Sequence, residues 1–128
     1  MEVMEATLRN REIIVAGGAG GLGAAATHML AAEGARVVAT YARNRTRAEQ
    51  LSDIATVAQA DLTQAADRAR LLDMAPNLYG VAIFSGIAAR SEEMMDESME
   101  ANYFGPIRFA REAAARMKAA GTPGAIVL

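Results

Sequence analysis

Gly17, Gly18, Gly20, Gly21 and Gly23 follow the apolar run Ile13-Ile14-Val15-Ala16 and lead into a helix-forming stretch, Leu22 to Glu33, that Gly34 ends. Such a loop turns backbone N–H groups and a helix N-terminus toward an anion, with no side chains in the way. Gly18-x-Gly20-x-x-Gly23 fits the general dinucleotide fingerprint, and Gly17-x-x-x-Gly21-x-Gly23 fits a second spacing. Either way the guest to expect is a pyrophosphate at the first strand–helix turn of a doubly wound sheet. A phosphate-loop NTPase is excluded, because no Gly-Lys-Ser/Thr follows and the only lysine is Lys118.

Arg43, Arg45 and Arg47 form the second group with chemical promise. Sites that hold NAD usually carry an acid at the end of the second strand, bonded to the adenosine ribose. That place falls near Tyr41, and no Asp or Glu occurs between Gly34 and Ala48. Guanidinium groups there suit a ribose 2′-phosphate, which they grip bidentately. Tyr41, Arg43 and Asn44 are thus the residues expected along that wall. A merely solvated arginine loop is the competing reading. His28 is no general base on this reading: it falls opposite the Leu22, Ala26, Met29 face of its helix and is expected at the surface.

The elements that must position these groups alternate. After the first strand and helix come Arg36 to Tyr41 as a second strand and a short helix through Leu51. Thr56 to Ala60 is a third strand, and Asp61-Leu62-Thr63 opens a helix ending near Met74. Val81 to Phe84 is a fourth strand, a long helix covers about Glu97 to Ala120, and Ala125 to Leu128 is a fifth strand. Such alternation implies a three-layer α/β fold around a parallel, Rossmann-like sheet. Right-handed crossovers and a switch point beside the first strand give the order 3-2-1-4-5. The stripe Tyr103, Ile107, Ala110, Ala114, Met117 reads as core packing, and the acidic Met94-Met95 region as a solvated turn.

In order and spacing these features resemble the short-chain dehydrogenase/reductase family. Ala16-Gly17-Gly18-Ala19-Gly20-Gly21-Leu22-Gly23 is similar to its Thr-Gly-x-x-x-Gly-Ile-Gly. Asp61-Leu62 looks like the acidic pair whose Asp binds the adenine amino group. Phe84-Ser85-Gly86 stands where the family has Asn-Asn-Ala-Gly, and Asn102-Tyr103-Phe104-Gly105 resembles the Asn-x-x-Gly whose Asn joins the catalytic tetrad. The resemblance implies a nicotinamide coenzyme, and the arginines with the absent acid make NADP(H) the preferred one, with NAD(H) as the other choice. It implies contacts from Gly17, Ala19, Gly20, Gly21, Leu22, Gly23, Asp61, Leu62, Ser85 and Gly86, with Asn102 as a catalytic residue. It further implies hydride transfer to or from a small carbonyl or alcohol substrate, and a homo-oligomer.

The chain also departs from the family. Ala16 replaces the loop threonine, Ile83 and Phe84 replace asparagines, and the stretch from Gly86 to Asn102 is short. The family's Tyr-x-x-x-Lys pair, in which the ammonium eases loss of the phenol proton, is absent: Arg45, Ile83 and Ile107 stand four residues after Tyr41, Tyr79 and Tyr103. The 128 residues therefore read as a single coenzyme-binding domain, incomplete after its fifth strand, and inactive alone. Two other functions compete: a non-catalytic nucleotide sensor, and a methyltransferase using S-adenosylmethionine, which the missing acid disfavours.

Bulk properties agree with a globular protein. Apolar residues make up 52% and charged ones 22%, and a net charge of −2 offers no basic field for nucleic acid. With no cysteine and one histidine, disulfides and a zinc site are not expected. The first residues are too acidic and polar for a signal peptide, and no apolar run reaches membrane-span length, so a cytoplasmic protein is expected. Pro106 carries one more expectation. Lacking an N–H, it should kink the long helix and strip the Asn102 carbonyl of its partner, unless Gly105-Pro106 simply opens a new helix.

Overall fold

A computed structural model describes residues 8–84 and 91–128. The strands are β1 (Glu12–Ala16), β2 (Arg36–Tyr41), β3 (Thr56–Gln59), β4 (Leu78–Ile83) and β5 (Ala125–Val127). They form one parallel sheet in the order β3-β2-β1-β4-β5, as the sequence implies. Helices α1 (Gly21–Ala32) and α2 (Arg45–Glu49) follow β1 and β2, and α3 (Ala65–Asp73) follows β3. Between β4 and β5 run α4 (Met95–Met99), a π turn (Glu100–Phe104) and α5 (Gly105–Ala120).

Side chains on a strand alternate between faces, so one strand feeds two cores. Ile14, Ala16, Val38, Val81 and Ile83 meet Leu71 and Leu72 of α3 and Phe109, Ala113 and Met117 of α5 on one side. Ile13, Val15, Val37 and Ala39 meet Ala24 and Leu30 of α1 and Leu51 after α2 on the other. The near-continuous apolar strands are what a sheet covered on both faces requires.

Two helix faces differ from expectation. On α1 the buried residues are Gly23 and Thr27, while Leu22 and Met29 are 73% and 71% exposed. Small residues lie where the start of the helix approaches the glycine loop most closely, Leu30 packs on the sheet further along, and Leu22 and Met29 face outward. His28 is at the surface, as expected. On α5 the inward stripe is Pro106, Phe109, Ala113 and Met117, while Tyr103 and Ala114 are exposed. The register shifts because the π turn inserts a residue's worth of rotation ahead of α5. Residues Glu92–Met94, expected in a solvated turn, form a 3-10 turn leading into α4.

The discontinuity expected at Pro106 takes the form of that π turn. Gly105 N–H bonds the carbonyl of Glu100, five residues back, and Pro106 sits in the first turn of α5. Proline has no N–H to give, and the hydrogen-bonding pattern of the helix changes at this point. Backbone dihedrals stay helical from Met99 to Gly105, so Gly105-Pro106 interrupts a continuous helix and does not open a new one.

Phe109 is fully buried between α5 and the sheet. Phe109→Ala is expected to lower the stability of the protein to urea by about 3–5 kcal/mol, and Met29→Ala by no more than about 0.5 kcal/mol. A small loss at Phe109 would contradict the packing of α5 on β4.

Candidate functional site

The C-terminal ends of β1, β2 and β4 meet at the glycine loop, which is the topological switch point of the sheet. The loop is shaped by backbone packing. A Cβ on Gly23 would collide with the carbonyl of Gly17, so only glycine lets the first turn of α1 sit on the loop. Thr27, fully buried one turn later, donates its hydroxyl to the Gly23 carbonyl at 2.9 Å. Gly20 closes the turn through its N–H to the Gly17 carbonyl at 3.1 Å. No described residue accepts the N–H groups of Gly21 and Leu22, which are the orphan donors of a helix start.

Thr40 braces the loop from outside. Its hydroxyl accepts the Gly17 N–H at 3.1 Å, and the residue is 3% exposed. Ala16 removes the loop's own hydroxyl, and β2 supplies one in its place. Sequence reading missed both Thr27 and Thr40, although a threonine at the end of the apolar run Val37-Val38-Ala39 is the signal that marks the second. The fourth strand is braced by packing instead of asparagine side chains: Ile83 lies in the core, and Phe84 donates its N–H to the Ala16 carbonyl at 2.8 Å.

A cavity of about 560 Å³ opens beside the loop, lined by Gly17, Ala19 to Gly23, Tyr41, Asn44 and Arg47. A smaller one, about 190 Å³, runs on past Gly17 and Phe84 to Asp61, Leu62 and Asn102. The fold thus brings together almost all the residues singled out from sequence. Ser85 and Gly86 lie outside the described residues.

The three arginines take different partners. Arg43 reaches Glu97 at 3.7 Å, across a separate polar cavity that also contains Asp61. Arg45 pairs with Glu49 one helical turn on, at 2.8 Å. Among the described residues no acid pairs with Arg47, whose guanidinium comes within 3.9 Å of where a Gly21 Cβ would stand. Asn44 caps α2, its side-chain oxygen accepting the Arg47 N–H at 3.0 Å. That cap aims the start of α2, and with it Arg47, at the loop.

At the other end, Asp61 Oδ1 accepts the Thr63 N–H at 2.9 Å and the Thr63 hydroxyl at 2.7 Å. Neither Asp61 Oδ2 nor the Leu62 N–H has a bond among the described residues. An acceptor therefore stands next to a donor on an open edge. Asn102, in the π turn, donates its side-chain amide to the Ser98 hydroxyl at 3.0 Å.

The family described as short chain dehydrogenase matches residues 11–128. The uncharacterized oxidoreductase YxnA of Bacillus subtilis (strain 168) is 27% identical over 94% of this chain, which spans 38% of that protein. A solved short chain dehydrogenase/reductase family protein is 32% identical with a TM-score of 0.81, over 96% of this chain and 55% of its own. A Serratia marcescens short-chain dehydrogenase/reductase variant is 25% identical with a TM-score of 0.76, over 85% of this chain and 51% of its own. The chain spans about half the length of the solved proteins it matches.

The Thr40 bond supplies a test of the loop's support. Thr40→Val is expected to cost about 1–3 kcal/mol, since it leaves the Gly17 N–H unpaired, and Thr40→Ser to recover most of that. Equal stability of the valine variant and the parent would show that the hydroxyl does not hold the loop.

Proposed function

This chain belongs to the short chain dehydrogenase family, and we propose that it is the coenzyme-binding portion of an oxidoreductase that uses NADP(H) to interconvert a small carbonyl and alcohol. The observation that carries this reading is Arg47, with which no described acid pairs, beside helix N–H groups that no described residue accepts, at the mouth of the 560 Å³ cavity. Those groups fit an anionic dinucleotide. The N–H groups of Gly21 and Leu22 would face the pyrophosphate, with Gly17, Ala19, Gly20 and Gly23 allowing close approach. Arg47 and, once released from Glu97, Arg43 would meet a ribose 2′-phosphate, with Tyr41 and Asn44 along the same wall. NAD(H) would fit the same cavity without that contact.

Asp61 Oδ2 would accept from the adenine amino group and the Leu62 N–H would donate to the neighbouring ring nitrogen. Resemblance alone supports Ser85 and Gly86 beside the nicotinamide. The coenzyme supplies the hydride. Asn102 is proposed as the catalytic residue of this portion, held by Ser98 on the wall shared with Asp61 and Leu62. Family likeness likewise supports self-association.

A non-catalytic nucleotide sensor is the second reading. The apolar Ile83 and Phe84, where the family has asparagines, favour it. The 128-residue chain is expected to bind coenzyme without oxidising it, and coenzyme turnover by pure chain with any carbonyl substrate would contradict that. Turnover by the full-length protein separates the two readings, because a sensor shows none.

Calorimetric titration tests the coenzyme preference. The full-length protein is expected to bind NADPH at least about tenfold more tightly than NADH, and Arg47→Ala to remove most of that difference. Arg43→Ala is expected to matter less, because Arg43 lines a separate cavity and not the one beside the glycine loop. Equal affinities in the parent protein, or an unchanged ratio in Arg47→Ala, would contradict the assignment.

A further inference from the structure

Arg68 of α3 is the one charged residue buried among the described residues, and its side chain is 7% exposed. A buried guanidinium is costly unless its donors are used. Here Nε bonds both oxygens of Glu112 on α5, at 3.1 and 3.0 Å, and Nη1 bonds the Leu62 carbonyl at 2.9 Å. One side chain thus ties α3, α5 and the loop after β3 together. The Leu62 carbonyl is pressed from its other side by α5: a Cβ on Gly105 would lie 3.0 Å from it and 2.9 Å from the Glu100 carbonyl. Glycine at that position allows the close approach.

The peptides around Leu62 are fixed on both flanks. The Asp61 N–H is held by Asp67 Oδ2 at 2.8 Å. The peptide joining Leu62 to Thr63 is held at its carbonyl by Arg68 and at its N–H by Asp61 Oδ1. Between them, the peptide joining Asp61 to Leu62 gives its carbonyl to the Gln64 N–H at 3.0 Å and leaves its own N–H open. The open edge therefore points where these anchors set it.

We propose that Arg68 is a positioning residue that sets the Asp61 Oδ2–Leu62 N–H edge against the adenine ring and so lets the protein tell adenine from other bases. The proposal rests on the coenzyme reading above. An acceptor beside a donor matches adenine, whose amino group donates and whose ring N1 accepts. Hypoxanthine presents the reverse pattern, a carbonyl and a protonated N1. Discrimination between the two depends on the direction of the edge, whereas general packing around Arg68 does not affect it.

The test compares binding of NADPH and its hypoxanthine counterpart by the full-length protein and by Arg68→Met, with Asp61→Asn as reference. The parent is expected to favour the adenine form. In Arg68→Met the preference should fall by about fivefold or more, as it should in Asp61→Asn, while binding through the pyrophosphate persists. An unchanged preference in a folded but less stable Arg68→Met would overturn the proposal, leaving Arg68 a packing residue. Should Arg68→Met not fold, Arg68→Lys and Glu112→Gln carry the same measurement, and an unchanged preference in both has the same meaning. If the parent binds both forms equally, the positioning role falls and the coenzyme reading stands. If it binds neither, the coenzyme reading itself has failed.

Discussion

The contact between Gly23 and the Gly17 carbonyl governs the geometry of this end of the sheet. Because no side chain intervenes, α1 begins directly on the end of β1, and its first N–H groups open onto the cavity with no acceptor among the described residues. One turn on, Thr27 lies beneath the helix, and Leu22 and Met29 are turned out. The same approach brings α2 into range, so that Arg47, aimed by the Asn44 cap, stands over Gly21. A methyl group at position 23 would separate these parts together.

The positive charges show how neighbours sort residues that look equivalent in sequence. Arg43, Arg45 and Arg47 are equally arginine, but Glu97 and Glu49 draw two of them away from the loop cavity. What remains at the cavity is Arg47, with which no acid among the described residues pairs. Arg68 has the opposite setting, enclosed and paired with Glu112, and its charge serves the backbone of a loop instead of a ligand. Exposed pairs such as Arg45–Glu49 contribute little to stability, so Arg43 is held only weakly by Glu97.

Strand order and the glycine loop were readable from sequence because both rest on local signals: apolar runs of strand length, glycine at fixed offsets, and the handedness of crossovers. The methyltransferase alternative fell with the family match over residues 11–128. Helix faces were less readable. The outward Leu22 and Met29 reflect a placement of α1 on the glycine loop that periodicity does not encode, and the shifted stripe of α5 reflects the π turn at Glu100–Phe104. Thr40 was passed over because its role depends on β2 lying beside β1, which is a long-range fact. Arg68 could not be told from the other arginines until α3 and α5 were packed together.

The central claim is that the start of α1 and the Arg47 wall hold a dinucleotide phosphate. Backbone amide NMR spectra of the protein titrated with NADPH test it most directly. The account predicts the largest shifts at the Gly21 and Leu22 amides and at the Arg47 guanidinium. It predicts little change around Glu12, Arg36 and Asp53, which line a cavity of about 480 Å³ at the opposite end of the strands. Shifts centred on that second cavity, or none at Gly21 and Leu22 under saturating coenzyme, would contradict it.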